Sequence, residues 1–199
     1  MQNFWFYGEL GFFHVMDWNG YDHVLFLIAL ALPFGFHEWK RVFWLATLFT
    51  LAHCFSLALA AYGLVAFDPG MVEFLIPVTI LLTAVFDLFL ARPGVDPGAA
   101  FKTHLFSTGL FGLIHGLGFS NYFRMLMTGE TEKTGPLFGF ALGIEGAQLL
   151  VLLVVMALSY ILIDKLQVSR IWYIRAAGIL IIAISGMLMV GAWPARIFT

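Results

Sequence analysis

Near the start of the chain, four ionisable side chains lie within ten residues: His14, Asp17, Asp22 and His23. They run directly into residues 24–32, which contain no polar side chain. Carrying a charged group into hydrocarbon costs a few kcal/mol or more, so such a group faces a partner, a metal ion or water. Imidazole and carboxylate together are typical ligands of divalent transition metals such as nickel, cobalt and zinc. The cluster therefore predicts a metal site completed by other segments.

Further candidate ligands lie inside later apolar segments. His53 and His115 fall near the middle of two such segments, and Glu145 lies inside a third. His104 precedes His115 by about three helical turns on the same face, which would suit an exit route toward the inner surface. The predicted metal-binding residues are His14, Asp17, Asp22, His23, His53, His115 and Glu145. Considered alone, a buried histidine such as His53 is about as often a hydrogen-bonding partner of a neighbouring helix.

The composition is that of a polytopic helical membrane protein. Hydrophobic residues make up 61% of the 199 residues and charged residues 11%, against roughly 25% charged in soluble domains. The net charge is −2 and no basic run is present, so nothing indicates nucleic-acid binding. The single cysteine, Cys54, excludes an intrachain disulfide. Without a basic n-region or a cleavage site near the start, the first membrane segment is expected to act as the insertion signal.

Apolar runs and turn residues predict one all-α membrane domain over residues 1–199, a bundle of about six transmembrane helices. A short aromatic-rich segment, residues 1–13, precedes them and is expected at the membrane interface. The helices are predicted at 20–36, 42–67, 71–91, 102–126, 137–163 and 171–193. The first apolar run, 24–36, is shorter than the roughly 20 residues that a crossing needs. That crossing must therefore include Asp22 and His23.

Glycines surround two of the candidate ligands. Gly112 and Gly116 flank His115, and Gly139, Gly143 and Gly146 lie around Glu145. Small residues of this kind allow transmembrane helices to approach closely. We therefore expect tight helix packing at both places.

The basic residues predict the orientation of the helices in the membrane. Cytoplasmic loops carry an excess of lysine and arginine. With both termini outside, seven of the ten basic residues fall on the inner side: Lys40, Arg41, Arg92, Lys102, Lys165, Arg170 and Arg175. The His14–His23 cluster then opens toward the outer side.

Four motifs on successive predicted helices resemble the HupE/UreJ family of bacterial membrane proteins. They are Gly20-Tyr21-Asp22-His23-Val24-Leu25-Phe26, Phe49-Thr50-Leu51-Ala52-His53, Phe111-Gly112-Leu113-Ile114-His115-Gly116-Leu117-Gly118-Phe119 and Gly143-Ile144-Glu145-Gly146-Ala147-Gln148. The resemblance extends over nearly the whole chain and implies a secondary permease for nickel or cobalt in the bacterial inner membrane. His14, Asp22 and His23 match the family's histidine and Asp-His signature in residue type, with a longer spacing between His14 and Asp22.

A divalent-metal permease is the first functional hypothesis, because transport needs ligands that bind an ion and then release it. The expected partners are the metal ion and the lipid bilayer, and a homo-oligomer is left open. A zinc-dependent intramembrane hydrolase is the alternative, with Glu145 or Asp22 as the base. In a third interpretation, the chain is a structural metal-binding subunit of a membrane complex.

Overall fold

The computed structural model describes residues 2–18, 20–90, 97–128 and 132–193. Within these ranges every regular element is helical. The α-helices are α1 (Gln2–Val15), α2 (Asp22–Ala31), α3 (Trp39–Ala61), α4 (Pro69–Leu90), α5 (Pro97–Gly118), α6 (Ser120–Leu126), α7 (Thr134–Tyr160) and α8 (Arg170–Gly191). A 3-10 turn, Phe36–Glu38, precedes α3, and a π-helical turn, Ile161–Lys165, extends α7.

Four helical segments of the described residues are long and apolar enough to cross a membrane. These are Phe36–Ala61, Pro69–Leu90, Thr134–Lys165 and Arg170–Gly191. The 22 residues of α4 span about 33 Å, which covers a hydrocarbon core of about 30 Å. The predicted all-helical membrane fold is therefore confirmed, while the count of six crossings stays a prediction.

The second helix is shorter than the sequence pattern predicts. We expected a helix over 20–36, but α2 has only 10 residues and is about 15 Å long. Pro33 lies just beyond its end and has no backbone N–H to continue the helical hydrogen bonds. Its apolar side chains are buried on all sides, as Phe26, Ala29 and Leu30 illustrate. Since helix ends at membrane depth are tolerated where protein surrounds them, α2 lies inside the bundle.

The predicted helix over 102–126 is divided in two. The first part, α5, ends at Gly118, and α6 begins at Ser120, whose hydroxyl donates a hydrogen bond to the Leu117 carbonyl over 2.6 Å. This break turns α6 against α3, and its Phe123 side chain reaches α1 and α7. Phe123 of α6 is fully buried, with its ring centroid 5.6 Å from that of Tyr7 and 4.9 Å from that of Phe140.

Glycines bring two pairs of helices into backbone contact. The N-terminal helix α1 packs along α7, where a Cβ at Gly143 would overlap the carbonyl oxygen of Gly8. Likewise, α5 packs along α3, where a Cβ at Gly116 would overlap the carbonyl oxygen of His53. The segment predicted to lie at the membrane interface is thus a helix packed against α7. Gly146, in contrast, has open space where a side chain would begin.

Replacing Gly143 with alanine should destabilise the protein, because the added methyl group meets backbone atoms of α1 that cannot rotate away. Overpacking of this kind costs about 1–3 kcal/mol. Gly146→Ala, one turn nearby in α7, is the matched control and should leave stability unchanged or slightly higher. The measurement is thermal unfolding in detergent, and equal melting temperatures for the two variants would contradict the close α1–α7 contact.

Candidate metal centre

Four imidazoles from four helices meet inside the bundle. His14 comes from the end of α1, His23 from the first turn of α2, His53 from α3 and His115 from α5. The ring centroid of His23 lies 4.6 Å from that of His14, 5.6 Å from that of His53 and 5.5 Å from that of His115. The side chains of His23, His53 and His115 are at most 4% exposed. The structure thus brings together all four histidines that the sequence singled out as ligands.

These residues form two overlapping sets of potential ligands. One set is His14, His23 and His53, and the other is Asp22, His23 and His115. Within each set, one ligand atom per residue lies within 4.8 Å of the others. Two nitrogen ligands of a tetrahedral first-row ion lie about 3.4 Å apart. Small side-chain movements would therefore close either set around an ion, and His23 belongs to both.

Asp22 orients the ring of His23. The Nδ1 atom of His23 lies 3.2 Å from Asp22 Oδ1, and the backbone N–H of His23 donates to the same oxygen over 3.0 Å. An ionised carboxylate only accepts hydrogen bonds, so Nδ1 carries the proton. The lone pair is then on Nε2, which is buried without a hydrogen-bond partner. A carboxylate behind an imidazole in this way is the usual support for a metal-binding histidine.

Thr79 of α4 does the same for His115. Its hydroxyl donates to the Ile76 carbonyl over 2.7 Å, which uses the one hydroxyl hydrogen. The Thr79 oxygen, 3.1 Å from His115 Nε2, must therefore accept the ring N–H. This leaves the lone pair of His115 on Nδ1, a buried atom that has no partner. The sequence analysis did not identify Thr79 as a partner of His115. The one sequence feature that could have indicated it is the pair of threonines, Thr79 and Thr83, spaced four residues apart in an apolar segment.

Unpaired ring nitrogens support a metal at this place. His14 Nε2 and both ring nitrogens of His53 are also buried without a hydrogen-bond partner. A buried polar atom left unpaired costs about 1–3 kcal/mol. Several such nitrogens aimed at one region, with a carboxylate beside them, fit the ligand preference of a divalent transition metal.

Glu145 lies outside both ligand sets. Its Oε1 accepts a hydrogen bond from Thr47 over 2.7 Å, and its Oε2 accepts one from Thr50 over 2.6 Å. Both threonines belong to α3, so the carboxylate connects α7 to the helix that carries His53. The sequence predicted Glu145 as a metal ligand inside a helix, but it could not show that two threonine hydroxyl groups hydrogen-bond to its carboxylate.

Two cavities open beside the histidines. One, of about 540 Å³, is lined by His14 and by Asp17, an exposed residue just after α1. The other, of about 420 Å³, is lined by Asp22 and by Glu73 at the start of α4. Both lie at the end of the bundle where α2 begins. His37 is exposed in the segment that joins α2 to α3.

The comparison with known families agrees with the motifs. The family model for the HupE/UreJ protein matches residues 1–192. The chain belongs to the HupE/UreJ family. No curated protein and no solved structure matches it. The HupE/UreJ match includes every residue of the two ligand sets, and membership suggests a role related to nickel or cobalt transport.

In this HupE/UreJ protein, Thr79→Val should weaken Co²⁺ binding by about 10–100-fold, the usual cost of losing a partner behind a metal ligand. Valine keeps the shape but cannot accept the His115 ring N–H. Thr79→Ser retains the hydroxyl and should bind nearly as wild type does. Isothermal titration calorimetry on detergent-purified protein measures both affinities. Wild-type affinity in the valine variant would show that Thr79 does not orient His115.

Proposed function

We propose that this protein is a secondary permease for a divalent transition metal ion of the nickel or cobalt type. The observation that supports it most is the convergence of four imidazoles, three of them buried, with unpaired ring nitrogens inside the helical bundle. His14, His23, His53, His115 and Asp22 would bind the ion. Asp17, beside His14 in the larger cavity, would attract it from the outer side.

The overlap of the two ligand sets suits transport. A permease must release its ion, so few ligands at each step serve better than a closed cage of four. His23 belongs to both sets. An ion could exchange His14 and His53 for Asp22 and His115 while His23 stays bound. Each intermediate then keeps at least one imidazole, and no step exposes a bare ion to the apolar surroundings.

Glu145 takes a positioning role in this proposal. Both of its oxygens accept threonine hydroxyl groups from α3, which fixes α3 against α7 near His53. The same contacts weigh against the zinc hydrolase, because a general base must face the water that it activates. Asp22, the other base considered, is engaged by the ring and the backbone of His23.

Removal of a ligand should abolish binding, whereas removal of the exposed histidine should not. We expect His23→Ala and His53→Ala each to lower Co²⁺ or Ni²⁺ affinity by at least about 100-fold, which is more than the loss of a hydrogen-bond partner behind a ligand costs. His37→Ala, whose side chain is exposed, is the control. Calorimetry on protein without a polyhistidine tag gives the affinity, and uptake into proteoliposomes gives transport. Equal affinity in all three variants would remove the proposed site.

Elemental analysis of protein purified without chelator separates the permease from the enzyme. A permease should retain little metal and bind added nickel or cobalt reversibly. Near-stoichiometric zinc that survives dialysis would instead support the hydrolase or a structural metal site.

A further inference from the structure

A second buried polar pair lies away from the four histidines. Asp87 of α4 and His104 of α5 are 0% and 1% exposed, and the carboxylate Oδ1 lies 3.1 Å from the ring Nε2. Along α5, His104 precedes His115 by 11 residues, or about 16 Å. Since α4 and α5 run in opposite directions, the pair occupies the other end of the same helix–helix contact.

The pair has unused hydrogen-bonding capacity. Although Asp87 Oδ1 and His104 Nε2 are close, they are not aligned as a hydrogen bond, and both remain without one. Asp87 Oδ2 and His104 Nδ1 are also buried and unpaired, as is the hydroxyl of Thr108 one turn along α5. A buried acid and a buried base side by side, both incompletely bonded, are the groups that exchange a proton within the membrane.

The surroundings isolate the pair from other charges. The rings of Phe34 and Phe86 have their centroids 5.5 Å and 5.2 Å from that of His104. Among the described residues, His104 is the titratable group that interacts with Asp87. The elements packed around the pair also carry the titratable side chains Asp22, His23, Lys40, Arg41, His53, Cys54, Glu73, Lys102, His115, Arg170, Tyr173 and Arg175. Of these, Lys40, Lys102, Arg170 and Arg175 are exposed, and Arg41 bonds Glu38.

Buried polar side chains lie between the pair and the four histidines. Thr79, Thr83 and Asp87 follow one another at one-turn intervals on α4, and all three are buried. Thr83 donates a hydrogen bond to the Thr79 carbonyl over 2.9 Å, and Thr79 contacts His115. One face of α4 thus carries both the partner of His115 and the carboxylate of the pair.

We propose that Asp87 and His104 form a proton-binding site that exchanges its proton against the metal ion. This inference rests on the proposed function, because it assigns the ion that is coupled to metal movement. With one proton, the pair is neutral overall, as an ion pair or as a neutral acid beside a neutral imidazole. A divalent cation at the histidines disfavours positive charge at the pair, since buried charges interact over such distances. Metal binding and proton binding therefore oppose each other.

A metal ion at this second place is less suitable. Asp87 and His104 supply two ligands, and among the described residues no third histidine, cysteine, aspartate or glutamate joins them in a ligand set. Two side-chain ligands with phenylalanine rings around them leave a transition metal short of its usual four. A proton needs only the two groups present.

The experiment combines Asp87→Asn, which keeps the side-chain shape, with His104→Gln. Asp164→Asn, which changes an exposed carboxylate in the π-helical turn after α7, is the matched control. In proteoliposomes, an imposed pH gradient should change the initial rate of Co²⁺ uptake at least about threefold for wild type and Asp164→Asn. The rate should become insensitive to the gradient in both pair variants, while Co²⁺ affinity by calorimetry stays within about threefold of wild type. An equal response to the gradient in Asp87→Asn and wild type would overturn the inference.

Infrared spectroscopy separates this inference from the proposed function. The infrared difference between wild-type protein and Asp87→Asn, each titrated with acid and base, should contain the stretching band of one protonated carboxyl group, because the other acidic side chains are common to both proteins. Absence of Co²⁺ binding in wild type would reject the permease, yet the band would still decide whether Asp87 binds a proton. If both pair variants lose a second bound Co²⁺ per chain, the pair is a metal site and the proton assignment is wrong.

Discussion

The low polarity of the bundle interior is the constraint on which the rest of this structure depends. An imidazole there keeps a useful lone pair only if its other nitrogen is held by a partner, since an unpaired polar atom is costly to bury. Asp22 holds His23 and Thr79 holds His115 in this way. The fold therefore has to bring a specific partner to each ring as well as bring the rings together. Four helices, α1, α2, α3 and α5, bring the rings together. Helix α4 carries none of these rings but supplies Thr79 as the partner of His115.

The short helix α2 shows how the bundle meets this constraint. A helix that ends in hydrocarbon would leave backbone groups without hydrogen bonds, so it must be enclosed by longer ones. Enclosure also surrounds His23, in the first turn of α2, with protein rather than lipid. The carboxylate of Asp22 also sits where the positive end of the helix dipole stabilises a negative charge. The short length of α2 thus explains both its burial and the position of Asp22 and His23 inside the protein.

Much of the fold follows from composition and periodicity, and the candidate site follows from polar residues in apolar surroundings. A histidine inside an apolar run, such as His53, is visible in any sequence because it is expensive there. The glycines near His115 were equally visible, and Gly116 does meet the backbone of His53. The role of Thr79 was not, because a threonine hydroxyl can bond its own helix as well as a neighbour. The direction of Glu145 was hidden for a similar reason, since a glutamate inside an apolar segment shows which helix carries it but not which side chains it meets.

The contact between α1 and α7 joins segments that are made far apart in time. The first helix leaves the ribosome early, but the glycine surface that receives it on α7 is made only after five other helices. All four histidines precede α7 in the chain, so a chain that ended before α7 would contain every imidazole but lack the surface against which the helix carrying His14 packs. The ring set that includes His14 therefore depends on the late synthesis of a helix that contributes no ring to it, whereas the set of Asp22, His23 and His115 does not contain His14.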